Sequence, residues 1–548
     1  MPLTALEAAA GAEQCTRVLA SQPNSPNAAR LLSGLLQRFE FGAEVDLSPS
    51  GFLAAFAFID VDRQALCKGA FDYLKVRAPL AGILVRGRVD GWDEAAALLT
   101  RKDARLLRDR LFRAALIHGV VTDLEIELLL TAFRRRLLLK PDLSKVRVVY
   151  EFACVLIRQC LNNEYVFFAD EAEITNLSEL AIDIDGLLEG DPGATGAFLL
   201  LSLYRSFRET LGQEARPLDK VKPKALRAVL DAELALFRLE TSHAERLPRL
   251  TAITDETSRL VAGQYKEDPY PRWLSLEAPQ QGSALDRLGS YFSSDELAIV
   301  DGSCDVLIAG AGTGRQAVYA AIEYGNEARV LAFDLSAPSL AYGARMAESF
   351  GTKNLRFAVG DILRLDETQE SYDVIECVGV LHHMADPCEG WRALIRRLRP
   401  GGLMLVGLYS ALSRRIIQSL SEEPDWPGSG VDEDEIRTYR RTLVHRHTEG
   451  DEITLTQSPD FFTKSGFRDL TLHVSERQFT IPEIHDILIA EGLEFHGFTV
   501  TDDTRRSYAE RFPDDVPQGT LKNWWVYEQE DPRTFAGMYL FWCRRPAE

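Results

Sequence analysis

The spacing of apolar residues changes character once along this chain. From residue 1 to about 245, apolar positions recur every three or four residues, as in Leu106, Leu107, Leu111, Ala114 and Ala115. That is the period of an amphipathic helix. Asp123 to Leu139 is dense in Leu, Glu and Arg, good helix formers, and is predicted as one helix. Breaks are predicted at Ser21 to Asn27, at Lys140-Pro141-Asp142 and at Gly190 to Gly196. A hairpin-like pair, Leu3 to Ala20 and Ala28 to Phe39, has the form of one tetratricopeptide unit. No recurrence of about 34 residues follows it, so no repeat array is predicted.

From about Cys304, short β-rich runs alternate with helical patterns. The runs are Val306 to Ala309, Arg329 to Phe333, Leu355 to Val359, Tyr372 to Cys377 and Leu403 to Leu408. Strands alternating with helices predict a parallel sheet covered on both faces. Two further strands are expected at Leu493 to Val500 and Phe535 to Arg544, with a helix at Ile481 to Ala490 before the first. About 70 residues separate the fifth strand from that helix, a length that marks a lid or substrate element. The expected organisation is an all-α domain over 1–245, a connecting or cap segment over 246–299, and an α/β Rossmann-like domain over 300–548. The last would hold a seven-stranded, mostly parallel sheet and a substrate-lid insertion at about 411–480.

The length of 548 residues agrees with two or more domains. Acids outnumber bases 82 to 62, giving a net charge of −20. That balance argues against nucleic-acid binding, which needs surplus Lys and Arg. No apolar run approaches the roughly 20 residues of a membrane helix, and no basic stretch followed by an apolar core opens the chain. The eight cysteines are scattered without a Cys-x-x-Cys pair, which reads as reduced thiols of a cytoplasmic protein. Residues 411–548 hold 26 acids and 16 bases, and Glu422 to Glu435 holds seven acids and no base. A solvated loop is one reading of that run, and attraction of a basic acceptor is the other.

The strongest motif is Val306-Leu-Ile-Ala-Gly310-Ala-Gly312-Thr-Gly314-Arg315, a buried strand, a glycine turn and a helix start. A dinucleotide fingerprint wants a small residue where Arg315 stands, which disfavours a nicotinamide oxidoreductase. Asp334 ends the second strand, where a carboxylate can accept from ribose hydroxyls. Asp361-Ile362 follows the third. Tyr372-Asp-Val-Ile375 leads into Leu381-His382-His383-Met384, and Leu398-Arg-Pro400-Gly-Gly402 precedes the fifth strand.

At these residues the chain resembles the class I S-adenosylmethionine-dependent methyltransferases of the type 11/12 kind, over roughly 300–410 and 480–548. Three further stretches are similar to a bacterial family in which a helical or tetratricopeptide region precedes such a domain. They are Gln159-Cys-Leu-Asn-Asn-Glu-Tyr165-Val-Phe, Gln264-Tyr265-Lys-Glu-Asp-Pro-Tyr270-Pro-Arg-Trp273, and Ser458-Pro-Asp-Phe-Phe on to Arg468, Asp469 and His473. The resemblance implies S-adenosyl-L-methionine as cofactor. It implies that Gly310, Gly312 and Gly314 contact its methionine end, that Asp334 holds the ribose, and that Asp361 with Ile362 holds adenine. Cys377 and Tyr265 are expected beside the cofactor, Tyr265 or Tyr270 by closing over it.

Methyl transfer is an in-line displacement that needs alignment, water exclusion and, for a protonated acceptor, a base. His382 and His383 follow the fourth strand and titrate near neutrality. Glu376 stands beside them and is a candidate for holding a cationic acceptor nitrogen. Asp469 and His473 fall together either on a helix at i,i+4 or on one face of a strand. His445 and His447, with Glu449 and Asp451, lack the spacing of a closed metal site, so no metal is expected. The sequence thus predicts a methyltransferase acting on a peptide or protein side chain or on a metabolite, without a nucleic-acid or membrane partner. The alternative is a cofactor-binding interaction protein without transferase activity.

Overall fold

The computed structural model describes residues 4–101, 104–211, 221, 223–279, 282–449, 455–516 and 518–547. The chain divides into two compact units. One takes residues 1–238, 273–277 and 431–468, and the other takes 239–272, 278–430 and 469–548. No helix among the described residues is long and apolar enough to cross a membrane.

The described residues of the first unit hold helices and turns and no strand. Local chemistry sets the helix starts. Thr4 and Glu7 form a capping box that opens Ala5–Ser21, Pro26 occupies the first turn of Pro26–Arg38, and Asp123 accepts the Ile126 N–H to open Leu124–Leu139. The predicted break at Gly190 to Gly196 is shorter than expected. Gly190 closes one helix at φ 82°, Asp191 caps the next, and Pro192 starts it, so Gly193 and Gly196 lie inside Pro192–Leu201. The core is aromatic at its centre: Phe152 stacks on Phe112 and meets the edge of Phe133.

Part of the predicted lid belongs to this helical unit. Residues 431–468 pack in it through helix Glu433–Glu449. Arg440 reaches Glu127, 313 positions away in sequence, by two bonds of 2.6 and 2.7 Å, and donates through Nε to the Phe461 carbonyl at 2.6 Å. Both side chains of that pair are almost fully buried. The Gln159 to Phe167 stretch makes the matching turn. Glu164 and Tyr165 adopt φ 58° and 59°, Glu164 accepts the Ser465 N–H at 2.7 Å, and the Tyr165 carbonyl accepts from Arg437 at 2.8 Å. The acidic run ends as a helix start: Glu433, Asp434 and Glu435 fill the first turn of Glu433–Glu449, where the dipole favours negative charge. Glu433 and Asp434 also pair with Arg437. From the expected connecting segment, Ser275 and Leu276 belong to this unit too, bonded to Arg63 and Ile59.

The second unit is built on one seven-stranded sheet. Its strands are β1 (Asp305–Ala309), β2 (Arg329–Asp334), β3 (Leu355–Val359), β4 (Tyr372–Val378), β5 (Leu398–Leu408), β6 (Glu494–Phe498) and β7 (Tyr539–Arg544). The order is β3-β2-β1-β4-β5-β7-β6, with β7 antiparallel to β5 and β6 and the other pairs parallel. β1 to β5 are apolar because helices bury both of their faces. β5 starts at Leu398 rather than Leu403, since Leu398 already pairs with Tyr372 across an irregularity. β7 starts at Tyr539 rather than Phe535, whose ring packs in the core beside Trp524 and Phe498. Helix Ile481–Ala490 falls where the sequence predicts it. The crossover from β3 to β4 passes over β1 and β2, so the strand order reverses between β1 and β4. A crevice outside the carboxyl ends is the expected ligand position there.

Arg440→Ala leaves the Glu127 carboxylate buried without its cation. The expected outcome is a loss of about 3 kcal/mol or more from the helical unit, measured by urea unfolding followed by helical circular dichroism. Arg440→Met combined with Glu127→Leu should recover most of it. A loss below about 1 kcal/mol in the single variant would contradict the anchoring role, because that is the scale of an exposed pair.

Candidate active site

The glycine turn after β1 is held by β2. Gly310 and Ala311 donate to the Phe333 carbonyl, each at 2.9 Å. The Asp334 carboxylate accepts from Gly312 N at 2.9 Å and from Ser336 N at 2.8 Å. Gly310, Gly312 and Gly314 have φ of 73°, 51° and 76°, a region that side chains resist. A Cβ on Gly310 would come within 2.2 Å of Val380, just after β4. Asp361, after β3, is buried; its Oδ1 accepts from Leu363 N at 3.0 Å, and the Ser258 hydroxyl lies beside the carboxylate and stabilises its charge. Ile362 is buried beside it. Burial pushes both acids up, and the N–H groups of Ser336 and Gly312, or of Leu363, pull back.

The Gln264 to Arg272 stretch crosses this turn. Tyr265 lies on helix Glu256–Glu267, and its carbonyl accepts from Ser336 Oγ at 2.9 Å. The Tyr270 carbonyl lies where a Cβ on Gly312 would meet it at 2.7 Å, and Thr313 Oγ1 donates to the Pro271 carbonyl. The expected closure by Tyr265 is therefore made by its main chain, while its phenol goes elsewhere.

That phenol joins a cluster of acid–base groups. Tyr265 Oη donates to Asp469 Oδ1 at 2.7 Å and lies 3.1 Å from His473 Nε2. Helix Lys464–Thr471 ends between Asp469 and His473, so Tyr265, rather than an i,i+4 spacing, bridges them. The His473 ring stacks on His383 at 3.6 Å and 23°. His383 sits on the short turn Leu381–His383 after β4, with Nδ1 2.8 Å from the Ser475 carbonyl. A carbonyl only accepts, so Nδ1 carries the proton and Nε2 keeps its lone pair. His382 is fully buried, stacks on Tyr409 at 3.9 Å, and has no partner at either nitrogen. Arg414 donates to Glu476 at 2.9 Å and to the Leu470 carbonyl at 3.0 Å, with its guanidinium over the Tyr409 ring. Burial lowers His382 well below its ordinary range. It also lowers His383, against the opposing pull of Asp469. Burial raises Asp469, with His383 and the Tyr265 hydroxyl pulling the other way.

Residues 301–448 match a family model described as a methyltransferase domain. That stretch carries a methyltransferase domain. S-adenosyl-L-methionine is the cofactor that the sequence resemblance implies for such a domain. An uncharacterised Synechococcus protein is 28% identical over 180 residues, 32% of this chain and 43% of that protein, so the match spans less than half of the relative's length. Among solved structures, PKMT2 from Rickettsia typhi in complex with AdoHcy is 14% identical with a TM-score of 0.31, covering 48% of this chain and 54% of that one. A putative methyltransferase from Bacillus halodurans is 16% identical with a TM-score of 0.24, covering 46% and 100%.

Two features at the carboxyl ends of the strands would suit S-adenosylmethionine. The glycine turn presents backbone without side chains, and Asp361 presents a buried carboxylate with the Ser258 hydroxyl beside it. Two sequence-predicted residues leave the candidate set. Glu376 alternates with Ile375 and Cys377 along β4 and faces the opposite side of the sheet. Its carboxylate, fully buried, accepts from Arg287 at 2.9 Å, Gln316 at 2.6 Å and Tyr324 at 2.8 Å, so it is not open to an acceptor nitrogen. Cys377 lies in the hydrophobic core with its thiol pushed up by burial. His445 and His447 lie on the helical unit's Glu433–Glu449 helix, near Arg441 and Thr456, and Asp451 is outside the described residues. The ligating atoms of His383, Asp469 and His473 do lie within 4.8 Å of one another. The two rings are stacked, however, so their lone pairs run in nearly parallel planes instead of converging on one ion. Sequence reasoning passed over Ser475 and Ser336 as site residues.

Two outcomes follow for this site. Asp334→Ala removes the acceptor of two backbone N–H groups at the turn and should weaken S-adenosylhomocysteine binding by about tenfold or more in calorimetry; an unchanged affinity would remove Asp334 from the site. His382 is neutral in the folded chain, whereas the unfolded chain takes up its proton near pH 6.5. Its contribution to stability is therefore complete above about pH 6.5 and is lost progressively as pH falls below it. His382→Phe should flatten that part of the stability–pH curve in urea titrations between pH 7.5 and 5. Parallel curves for both proteins would contradict a buried neutral His382.

Proposed function

We infer that this methyltransferase transfers a methyl group to a peptide or protein side chain, or to a metabolite, presented at the His383–Asp469–His473 cluster. The observation that carries the reading is the fixed tautomer of His383. Its Nδ1–H is committed to the Ser475 carbonyl, burial keeps the ring neutral, and Nε2 remains a base. When bound, S-adenosylmethionine supplies an electrophilic methyl. The chain's own groups handle the proton: His383 Nε2 takes it from the acceptor's O–H or N–H, whose heavy atom would bond the methyl carbon as the sulfonium C–S bond breaks to leave S-adenosylhomocysteine. The resulting imidazolium retains the Ser475 bond and has the buried Asp469 carboxylate nearby as counter-charge, which makes protonation inside the fold affordable. The acceptor therefore belongs to the class of groups that arrive protonated.

Tyr409 and the stacked histidine rings favour an acceptor with a planar or apolar part. A basic acceptor draws less support from the acidic run, because Glu433 and Asp434 already have Arg437 as partner. The eight free cysteines agree with a cytoplasmic setting.

The test is incubation of the protein and labelled cofactor with an extract of the source cells, separated into macromolecular and small-molecule fractions for mass spectrometry. Label should enter an acceptor, and His383→Gln should slow it by about 100-fold or more. No labelled acceptor with the unaltered protein, or an undiminished rate with His383→Gln, would sink the reading.

A further inference from the structure

Tyr265 has its two ends in two different places. Its main-chain carbonyl accepts from Ser336 Oγ at 2.9 Å and Ser339 Oγ at 3.4 Å. Ser336 gives its own N–H to Asp334 at 2.8 Å, so this end is tied to the ribose-side corner of the crevice. The phenol at the other end reaches Asp469 at 2.7 Å and His473 at 3.1 Å. The bond directions are determined. Ser475 N–H donates to His473 Nδ1 at 3.1 Å, so Nε2 carries the proton of the neutral ring and donates to Tyr265 Oη. The Tyr265 proton then goes to Asp469. The other phenol on that carboxylate, Tyr409, is longer at 3.4 Å, so Tyr265 provides the closer hold. The neighbouring residue Gln264 accepts from Val474 N at 3.2 Å and clamps the same turn. Arg414 and Glu476 face the cluster from the other elements.

We propose that Tyr265 is a positioning residue that couples cofactor occupancy at the Asp334–Ser336 corner to the orientation of the Asp469, His473 and His383 side chains, a coupling that rests on the transferase reading above. A shift of the corner moves the Tyr265 main chain through the serine hydroxyls. The helix carrying Tyr265 transmits that shift to the phenol. The phenol sets the tilt of His473, whose tautomer Ser475 fixes and whose ring lies against the base. Acceptor chemistry is then aligned only when the cofactor side is filled, which limits exposure of a reactive methyl to an unready site.

The readout needs no acceptor. Histidines of the full chain are labelled with carbon-13 at Cε1, and the His473 and His383 resonances are assigned with His473→Gln and His383→Gln. S-adenosylhomocysteine is then added, with its binding followed by calorimetry. In the unaltered protein both resonances should move on binding. In Tyr265→Phe the product should still bind and the movement should vanish. Ser336→Ala with Ser339→Ala, which cuts the other end and leaves the phenol in place, should also reduce the movement. A merely structural Tyr265 would alter the resonances before ligand is added and leave the ligand-induced movement intact, which overturns the proposal. Binding without any movement in the unaltered protein overturns the coupling alone. Absence of binding overturns the transferase reading and the coupling with it.

Discussion

Three backbone conformations after β1 determine what can approach the crevice. At Gly310 the left-handed turn leaves room for Val380, and Val380 introduces the His382–His383 turn. At Gly312 it leaves room for the Tyr270 carbonyl, which brings in the stretch carrying Tyr265. At Gly314 it meets the Cα of Gly343, on the helix after β2, at the distance where a side chain would begin to clash. One short turn thus receives three separate segments, each against a missing Cβ. A side chain at any of the three would displace its partner as well as strain its own backbone. Because two of these segments, those of Val380 and Tyr270, lead to the acid–base groups, the geometry around His383 and Tyr265 depends on Gly310 and Gly312.

Much of the fold was legible because its signals are local. β1 to β4 read as apolar runs since both faces are buried, and Asp123, Thr480 and Pro26 mark helix starts by their own chemistry. The errors came where a partner lay far away in sequence. Nothing near Arg440 points to Glu127, so residues 431–468 read as a lid when they are fastened into the helical unit. The Gly190 to Gly196 stretch misled for a different reason: Asp191-Pro192 is a helix start strong enough to carry two glycines inside the helix that follows. The glycines, Asp334, Asp361 and the histidine pair were readable as a motif series, and they follow β1, β2, β3 and β4 in that order. The grouping of His383, Asp469, His473 and Tyr265 was only half readable, because the hydrogen bond that joins them spans 204 positions. Glu376 was the avoidable error. The alternation of a strand already placed it on the face opposite Ile375 and Cys377.

Glu376 and Asp469 show how burial separates an inert carboxylate from a usable one. Both are inaccessible to water. Glu376 has a guanidinium, an amide and a phenol on its two oxygens, so its charge is neutralised in place and its lone pairs are spent. Asp469 is bonded by two phenols, Tyr265 and Tyr409, which stabilise the anion without cancelling it. Arg414, whose charge acts on Asp469, gives its hydrogen bonds to Glu476 and the Leu470 carbonyl. An anion left in that state raises the proton affinity of whatever imidazole stands beside it, and His383 stands there. Burial pulls His383 down, and Asp469 opposes that pull, while the Arg414 charge also acts on Asp469. At rest the cluster therefore holds a buried anion, Asp469, beside a neutral His383, and the two become an ion pair only during proton uptake. A low-dielectric site keeps a base ready in this way, because the counter-charge stands in place before the proton arrives.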